Sequence, residues 1–390
     1  MKDLKVIIAS RNLITGGIES SYLNFINNVK DKVNLDAFLC NNCGALKNRL
    51  NPEIKLYEGN KIVKFFAKDD GGISNSAKSN KLKATIRKVI KFIYNKFGIK
   101  RFLKWFGVAS LKKLKTDYDC AICFYAQNEI CSKVVLKKIK AKQKIAVIHT
   151  DVSISPILKE SLKLLYKYDK IMCVSKSCAE VFKSTYPLLA SKTGYLYNFQ
   201  DNEKIKTKSV EFEVNYPKIF NVVSVSRLSD EQKGVFRALK IFKKLHDSGC
   251  KFHWHIVGDG PDRQEMENYI KANNMYEYVT LYGNQVNPYP YIKSADLLVL
   301  LSYYEAAPMV YNEAQLLNTP VFTARIVSSD EMIGNLGFVC DNDENAIYES
   351  LKSVLDNPKV VEDKKHLLQD FTYDNSLIVE HLISIINNAN

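Results

Sequence analysis

Along the chain, short continuous apolar runs alternate with longer segments whose apolar residues recur every three or four positions. In the first half the runs are LKVIIAS, DCAICFY, KIAVIH and KIMCVS; in the second they are IFNVVSVS, FHWHIVG, YVTLYG, ADLLVLL and TPVFTA. Each run has strand length and is apolar throughout rather than at every second position, the pattern of parallel strands buried on both faces. The segments between them read as helices, the first beginning near Ile18 after a Gly-Gly loop. Two such series predict two doubly wound, Rossmann-like α/β domains. The boundary falls between Asn198 and Pro217, where NFQDNEKIKTKSVEFEVNYP is polar and holds no clear long element. This divides the chain into an N-terminal domain over 1–200, a linker over 201–217 and a C-terminal domain over 218–370. A last helix over 371–390 has Leu377, Ile378, His381, Leu382 and Ile385 at helical spacing, and is expected to return to the N-terminal domain.

With 390 residues, 46% of them hydrophobic and 25% charged, the chain has material for two cores. No run approaches the roughly 18 apolar residues of a membrane span. The opening MKDLKVIIASRN turns polar too early for a secretory signal, so a cytoplasmic place is expected. The nine cysteines, odd in number and several in apolar runs, read as reduced thiols. Two CxxC spacings, Cys40/Cys43 and Cys120/Cys123, raise the question of zinc. In CAIC, however, a strand points positions i and i+3 to opposite faces, which disfavours a shared ion.

Open α/β sheets bind ligands beyond the carboxyl ends of their strands, so the loops there carry the chemistry. ITGGIES puts Gly16 and Gly17 before a helix, where backbone approaches a ligand closely and free N–H groups favour an anion. It is not a GxGxxG dinucleotide fingerprint. SRLSDEQKG places Arg227 and Lys233 around a short loop, two cations that suit a diphosphate or are ordinary solvated charges. IVGDGPDRQ turns on Gly258 and Gly260, with Pro261 at a first helical position, a mainly structural arrangement. YEAAPMVYNEA ends a strand at Glu305 and starts a helix at Pro308, so the N–H groups of Met309 and Val310 are available to phosphate. Glu313, farther along that helix, suits sugar hydroxyls. The plainer alternatives are a capping acid for Glu305 and a surface acid for Glu313.

In sequence, Arg…Lys-Gly, Gly-Asp-Gly-Pro, Ala-Asp before an apolar strand and Glu-x7-Glu resemble the retaining GT-B glycosyltransferases of family four. The resemblance is strongest over about Asn221 to Pro320, and NPYPYIKSADLLVLLSYYEAAPMVYNEA resembles members that build bacterial surface polysaccharides. It implies a GT-B fold, two Rossmann-like domains facing each other across a cleft. It also implies transfer of a hexose with retention from a nucleotide sugar, UDP favoured, to a glycan or lipid-linked acceptor. By the same resemblance Arg227 and Lys233 hold the diphosphate, Glu305 contacts the transferred sugar and Glu313 binds the ribose. Gly16 and Gly17 close on the donor, Asn198 matches an Asn ending the first domain, and the base rests near Tyr282 and Gly283. His149 in HTD matches a His that touches the sugar or orients the acceptor, although a histidine ending an apolar strand is often structural. His253 and His255 read as structural. Ala306 and Ala307 depart from the usual Gly and larger side chain beside the sugar, so the resemblance does not name the sugar. No Asp-x-Asp sits in a loop suited to a metal–diphosphate site, since Asp341–Asp343 lies elsewhere. The expectation is metal-independent transfer with no cofactor.

Net charge is +14, and 71–116 contains thirteen Lys or Arg and no acid. Within it, 78–115 reads as amphipathic. Leu82, Ile86, Val89, Ile93 and Phe97 form one stripe; Ile99, Phe102, Leu103 and Phe106 form a second, with Trp105 nearby. Basic heads beside aromatic bodies suit an anionic membrane surface, which predicts peripheral attachment at the inner face of the plasma membrane. The alternative is a nucleic-acid-binding protein or a catalytically silent scaffold that uses the same segment. Against nucleic acid, the aromatics lie on apolar stripes rather than as interleaved stacking platforms.

Overall fold

A computed structural model of the chain describes residues 4–14, 16–67 and 99–388. The first sheet contains β1 (Lys5–Ser10), β2 (Asn34–Leu39), β3 (Lys55–Glu58), β4 (Asp117–Cys123), β5 (Lys140–Ile148), β6 (Lys170–Cys173) and β7 (Thr193–Tyr195), in the order β3-β2-β1-β4-β5-β6-β7. The second contains β8 (Phe220–Val225), β9 (Phe252–Val257), β10 (Val279–Gly283), β11 (Leu297–Leu300), β12 (Val321–Ala324) and β13 (Phe338–Cys340), in the order β10-β9-β8-β11-β12-β13. All pairings are parallel, for example Val6 with Leu35 and Leu298 with Val321.

Helices of the first half are α1 (Gly17–Val29), α2 (Lys61–Ala67), α3 (Ile99–Ala109), α4 (Glu129–Lys138), α5 (Lys159–Leu165) and α6 (Lys176–Thr185). The crossing and the second half add α7 (Asn202–Lys208), α8 (Asp230–Lys233), α9 (Val235–Asp247), α10 (Arg263–Ala272), α11 (Tyr289–Lys293), α12 (Met309–Leu316), α13 (Ser329–Ile333), α14 (Glu344–Asp356) and α15 (Lys359–Leu368). The chain ends in α16 (Asn375–Asn387). The fold is two doubly wound α/β domains.

The nine apolar runs coincide with β1, β4, β5, β6 and β8 to β12. Of the others, β3, β7 and β13 lie at sheet edges and are three or four residues long. β2 is interior but is broken by Asp36, whose carboxylate accepts from the Tyr118 hydroxyl at 2.6 Å. The segment between the domains, read as holding no clear long element, contains one short helix, α7. Asp201 caps it by accepting from the Lys204 N–H at 3.3 Å, and Ile205 is buried in the core of the second domain. Of the basic stretch 78–115, residues 78–98 lie outside the described residues.

α16 crosses back to the first domain. Ile378, Val379, Leu382, Ile385 and Ile386 are buried in that domain's core, and Gln143 donates to the Ile385 carbonyl at 3.3 Å. A second link runs through Glu331 on α13. Its carboxylate accepts from the backbone N–H groups of Lys176 and Ser177 at 2.9 and 2.8 Å, and from the hydroxyls of Ser177 and Tyr197 at 2.6 Å each. The second domain thus caps the N-terminus of α6 in the first, a favourable place for a negative charge. These hydrogen bonds outweigh burial and hold the Glu331 carboxyl below its ordinary value.

Leu382 is 1% exposed, so Leu382→Ala is expected to destabilise the protein by about 2–5 kcal/mol in denaturant unfolding. A depressed carboxyl stabilises the fold above its unfolded pKa and stops doing so as pH falls through its folded value. Glu331→Gln therefore lowers the melting temperature at pH 7, and the difference from wild type shrinks as pH falls below the ordinary carboxylate range, toward about pH 3. A difference that stays constant down to about pH 3 would contradict the capping role.

Candidate active site

In the second sheet, β8 and β11 are neighbours, and the chain leaves them toward opposite sides. The crevice beyond their carboxyl ends is where a doubly wound sheet takes a ligand. Two loops line it, 226–234 after β8 and 301–308 after β11. Gly234 separates α8 from α9 with φ of 61°, and a β-carbon there would lie 2.6 Å from the Leu301 carbonyl oxygen. Only glycine combines that left-handed turn with such close approach, and the approach brings the two loops into contact.

At the contact, Lys233 Nζ pairs with Glu305 Oε1. Gln232 Nε2 donates to Glu305 Oε2 at 3.1 Å, and Ser302 Oγ donates to Oε1 at 3.1 Å. The Lys233 and Glu305 side chains are 18% and 11% exposed, so the pair is largely withdrawn from water. Removing one member of such a pair leaves the other charge without compensation. Glu305 lies five residues past the end of β11, in the loop rather than closing the strand as its sequence position suggested. Arg227, in the same loop as Lys233, is exposed and has no ion-pair partner among the described residues.

Beyond Glu305, Pro308 precedes α12, so the first helical N–H groups, Met309 and Val310, lie within the free end of that helix. Glu313 is one turn on. Burial raises its carboxyl to about 7, against the opposing pull of Lys204 and of Arg49 from the first domain. Gly258, with φ of 148°, packs on the loop after β8: a β-carbon would meet the Ser226 carbonyl oxygen at 1.9 Å. Its role is to let two loops touch. Tyr282 and Gly283 end β10, two strands from β8, where the Tyr282 hydroxyl meets His255 Nδ1 at 3.3 Å. His255 is buried on Asn221 Oδ1 at 2.9 Å, and His253 lies 2.8 Å from the Thr280 hydroxyl.

The first domain closes over the loop that carries Glu305. Ala306 is buried within the first domain's core, and its carbonyl accepts from Ser175 Oγ at 3.4 Å and Cys178 Sγ at 3.3 Å. Asn198 donates to the Ala307 carbonyl at 3.5 Å and accepts from Ser21 on α1 at 2.7 Å. It thus joins the helix that follows Gly16 and Gly17 to the Glu305 loop. Gly16 precedes α1 in an extended conformation, and the space beyond Gly17 is open. His149 follows β5, one strand from β6 and the Ser175 turn. Its ring centre is 4.7 Å from that of Phe124, its Nε2 is buried without a partner, and burial lowers its pKa to about 4. It is neutral at pH 7.

The structure therefore brings Lys233 and Glu305 into contact and joins Asn198 to their loop. Arg227, His149 and Glu313 stand apart, without contact to that pair. Sequence reasoning missed Gln232, Ser302, Ser21, Ser175 and Glu331. Each is a common polar residue whose role arises only from long-range contact; Gln232 alone had a local signal, its place beside Lys233.

Residues 203–369 match the family model described as Glycosyl transferases group 1. An uncharacterized glycosyltransferase of Methanocaldococcus jannaschii, MJ1059, is 29% identical over 192 residues, 48% of this chain and 46% of that protein. The Campylobacter jejuni N-acetylgalactosamine-N,N'-diacetylbacillosaminyl-diphospho-undecaprenol 4-alpha-N-acetylgalactosaminyltransferase is 29% identical over 213 residues, 53% of this chain and 56% of that protein. The chain thus aligns with about half the length of these relatives. In fold it is similar to a mutant S. aureus TarM in complex with Fondaparinux, alpha-GlcNAc-glycerol and UDP, with a TM-score of 0.69 and 15% identity over 100% of both chains. Over residues 203–369 the chain is thus similar to the group 1 glycosyltransferases, within a fold of two α/β domains that matches GT-B structures.

Proposed function

We propose that the protein is a retaining glycosyltransferase that moves a hexose from a UDP-sugar to a glycan or lipid-linked acceptor in surface-polysaccharide synthesis, without a metal or cofactor. The observation that carries the reading is the Lys233–Glu305 pair at the mouth of β8 and β11, on the two loops that also carry Arg227 and lead into α12. The family match over the same domain supports it, as does the diphospho-undecaprenol in the name of the Campylobacter relative. Nothing in the described residues favours the nucleic-acid or scaffold alternative.

On this reading the diphosphate enters between Arg227 and the N–H groups of Met309 and Val310, and Lys233 exchanges the Glu305 carboxylate for phosphate oxygen. Glu305 is then free to accept from a sugar hydroxyl, and Glu313 from the ribose. The bond between the anomeric carbon and the diphosphate oxygen breaks, and charge growing on that oxygen meets positive groups already in place. The acceptor oxygen bonds to the same face of the sugar, and its proton passes to the departing phosphate oxygen. Closure of the two domains limits attack by water.

Attachment to an anionic membrane surface from the cytoplasmic side completes the proposal. On α3, Leu103 packs toward the core while Phe102, Trp105 and Phe106 are 58%, 52% and 45% exposed. Arg101 on the same helix and Lys112, Lys113 and Lys115 shortly after its end are exposed, whereas Lys104 is held by Glu129 at 2.6 Å. An aromatic face flanked by cations matches the boundary between headgroups and acyl chains. Among the described residues no helix is long and apolar enough to cross a membrane.

UDP at a hundredfold its dissociation constant is expected to stabilise the protein by about 2.7 kcal/mol, with the same thermal shift in EDTA. Loss of the shift in EDTA would contradict metal independence. Glu305→Gln abolishes transfer while UDP affinity is kept, because Lys233 loses only its resting partner; turnover close to wild type would remove Glu305 from the site. In sedimentation with phosphatidylglycerol vesicles, Trp105→Ala with Phe106→Ala reduces binding several-fold. Binding equal to wild type would place the membrane contact elsewhere.

A further inference from the structure

Arg237 on α9, four residues past Lys233, is 3% exposed. A buried guanidinium stays charged and normally meets a carboxylate. Among the described residues no carboxylate hydrogen-bonds to this one, and Glu344 and Asp230 act on it only from a distance. Its Nη1 donates to Asn342 Oδ1 at 2.6 Å, its Nη2 donates to the Leu301 carbonyl, and its central carbon lies 4.1 Å from the centre of the Tyr303 ring. Asn342 Nδ2 in turn donates to the carbonyls of Tyr303 and Arg325, each at 3.1 Å. Every partner is uncharged. Leu301 and Tyr303 belong to the turn from β11 to Glu305, and Asn342 ties that turn to the segment after β13.

Gly234 belongs to the same arrangement. A β-carbon there would lie 3.2 Å from Arg237 Nε and 3.4 Å from the Tyr303 ring, besides striking the Leu301 carbonyl. The glycine next to Lys233 thus leaves room for the arginine and the turn to meet. The site's other largely buried cation, Lys233, is paired with Glu305, whereas Arg237 is bonded to uncharged partners alone behind the same crevice.

We propose that Arg237 is a positioning residue for transfer: it braces the 301–305 turn from beneath and leaves a positive charge, hydrogen-bonded to no carboxylate, behind the diphosphate subsite. The inference rests on the glycosyltransferase reading and adds a residue to it. A charge held in a site of reduced dielectric acts over a longer range than one in water. A diphosphate, with more negative charge than a monophosphate, gains more from it.

The test compares calorimetric affinities for UDP and UMP, which needs no knowledge of the sugar or the acceptor. Arg237→Met is expected to weaken UDP by about tenfold and UMP by less than about threefold. Asn342 is exposed, so variants there avoid the core and keep the test alive should Arg237→Met fail to fold. Asn342→Asp places a carboxylate against the guanidinium and reduces the preference for UDP in the same way. Asn342→Ala loosens the turn but keeps the charge, and weakens both nucleotides alike. A UDP-to-UMP ratio unchanged from wild type in both Arg237→Met and Asn342→Asp would overturn the inference, even if both variants were less stable. Wild-type protein that binds neither nucleotide would instead remove the glycosyltransferase reading, and this inference with it.

Discussion

The contact between Lys233 and Glu305 is the constraint from which the rest of the crevice follows. Two opposite charges mostly withdrawn from water are tolerable only when each holds the other and their remaining hydrogen-bonding capacity is met. Gln232 and Ser302 meet it for the carboxylate. The contact also requires the loops after β8 and β11 to touch, which in turn requires Gly234 at its left-handed turn and Gly258 against the Ser226 carbonyl. On the proposed reading, the pair holds a lysine in place for phosphate without leaving it to repel Arg227 and Arg237.

The first domain is held against this loop by polar contacts beside the buried Ala306. Glu331 caps α6, the Ala306 carbonyl is taken by Ser175 and Cys178, and Asn198 ties Ala307 to α1. Directional contacts of this kind break and re-form at modest cost, which suits domains that open for a substrate and close for reaction. α16 differs, since its apolar face is part of the first domain's core and keeps the two ends of the chain together through any such motion.

The interior of both sheets was legible because parallel strands buried on both faces leave continuous apolar runs. The edges were not. β3, β7 and β13 are short and partly exposed, and Asp36 interrupts the run in β2. α7 was hidden by its length and by having one buried apolar residue, Ile205. For the crevice, loops following apolar strands drew attention to Arg227, Lys233, Glu305 and the Pro308 helix start. That Lys233 and Glu305 bond to each other was invisible, since they lie 72 positions apart and either reads locally as a solvated charge. The roles of Glu331 and Arg237 were hidden for the same reason. In the basic stretch, apolar spacing alone did not show that Leu103 turns inward while Phe102 and Phe106 remain at the surface.

The central claim is that Lys233 changes partner, leaving Glu305 for the diphosphate when the donor binds. A crystal structure of the protein soaked with UDP tests it directly. The account predicts Lys233 Nζ within about 3 Å of a phosphate oxygen, with the Glu305 carboxylate released toward the position of the sugar and Met309 and Val310 N–H groups facing the phosphates. UDP bound in the crevice with Lys233 still paired to Glu305 would contradict it, and so would UDP seated away from the loops after β8 and β11.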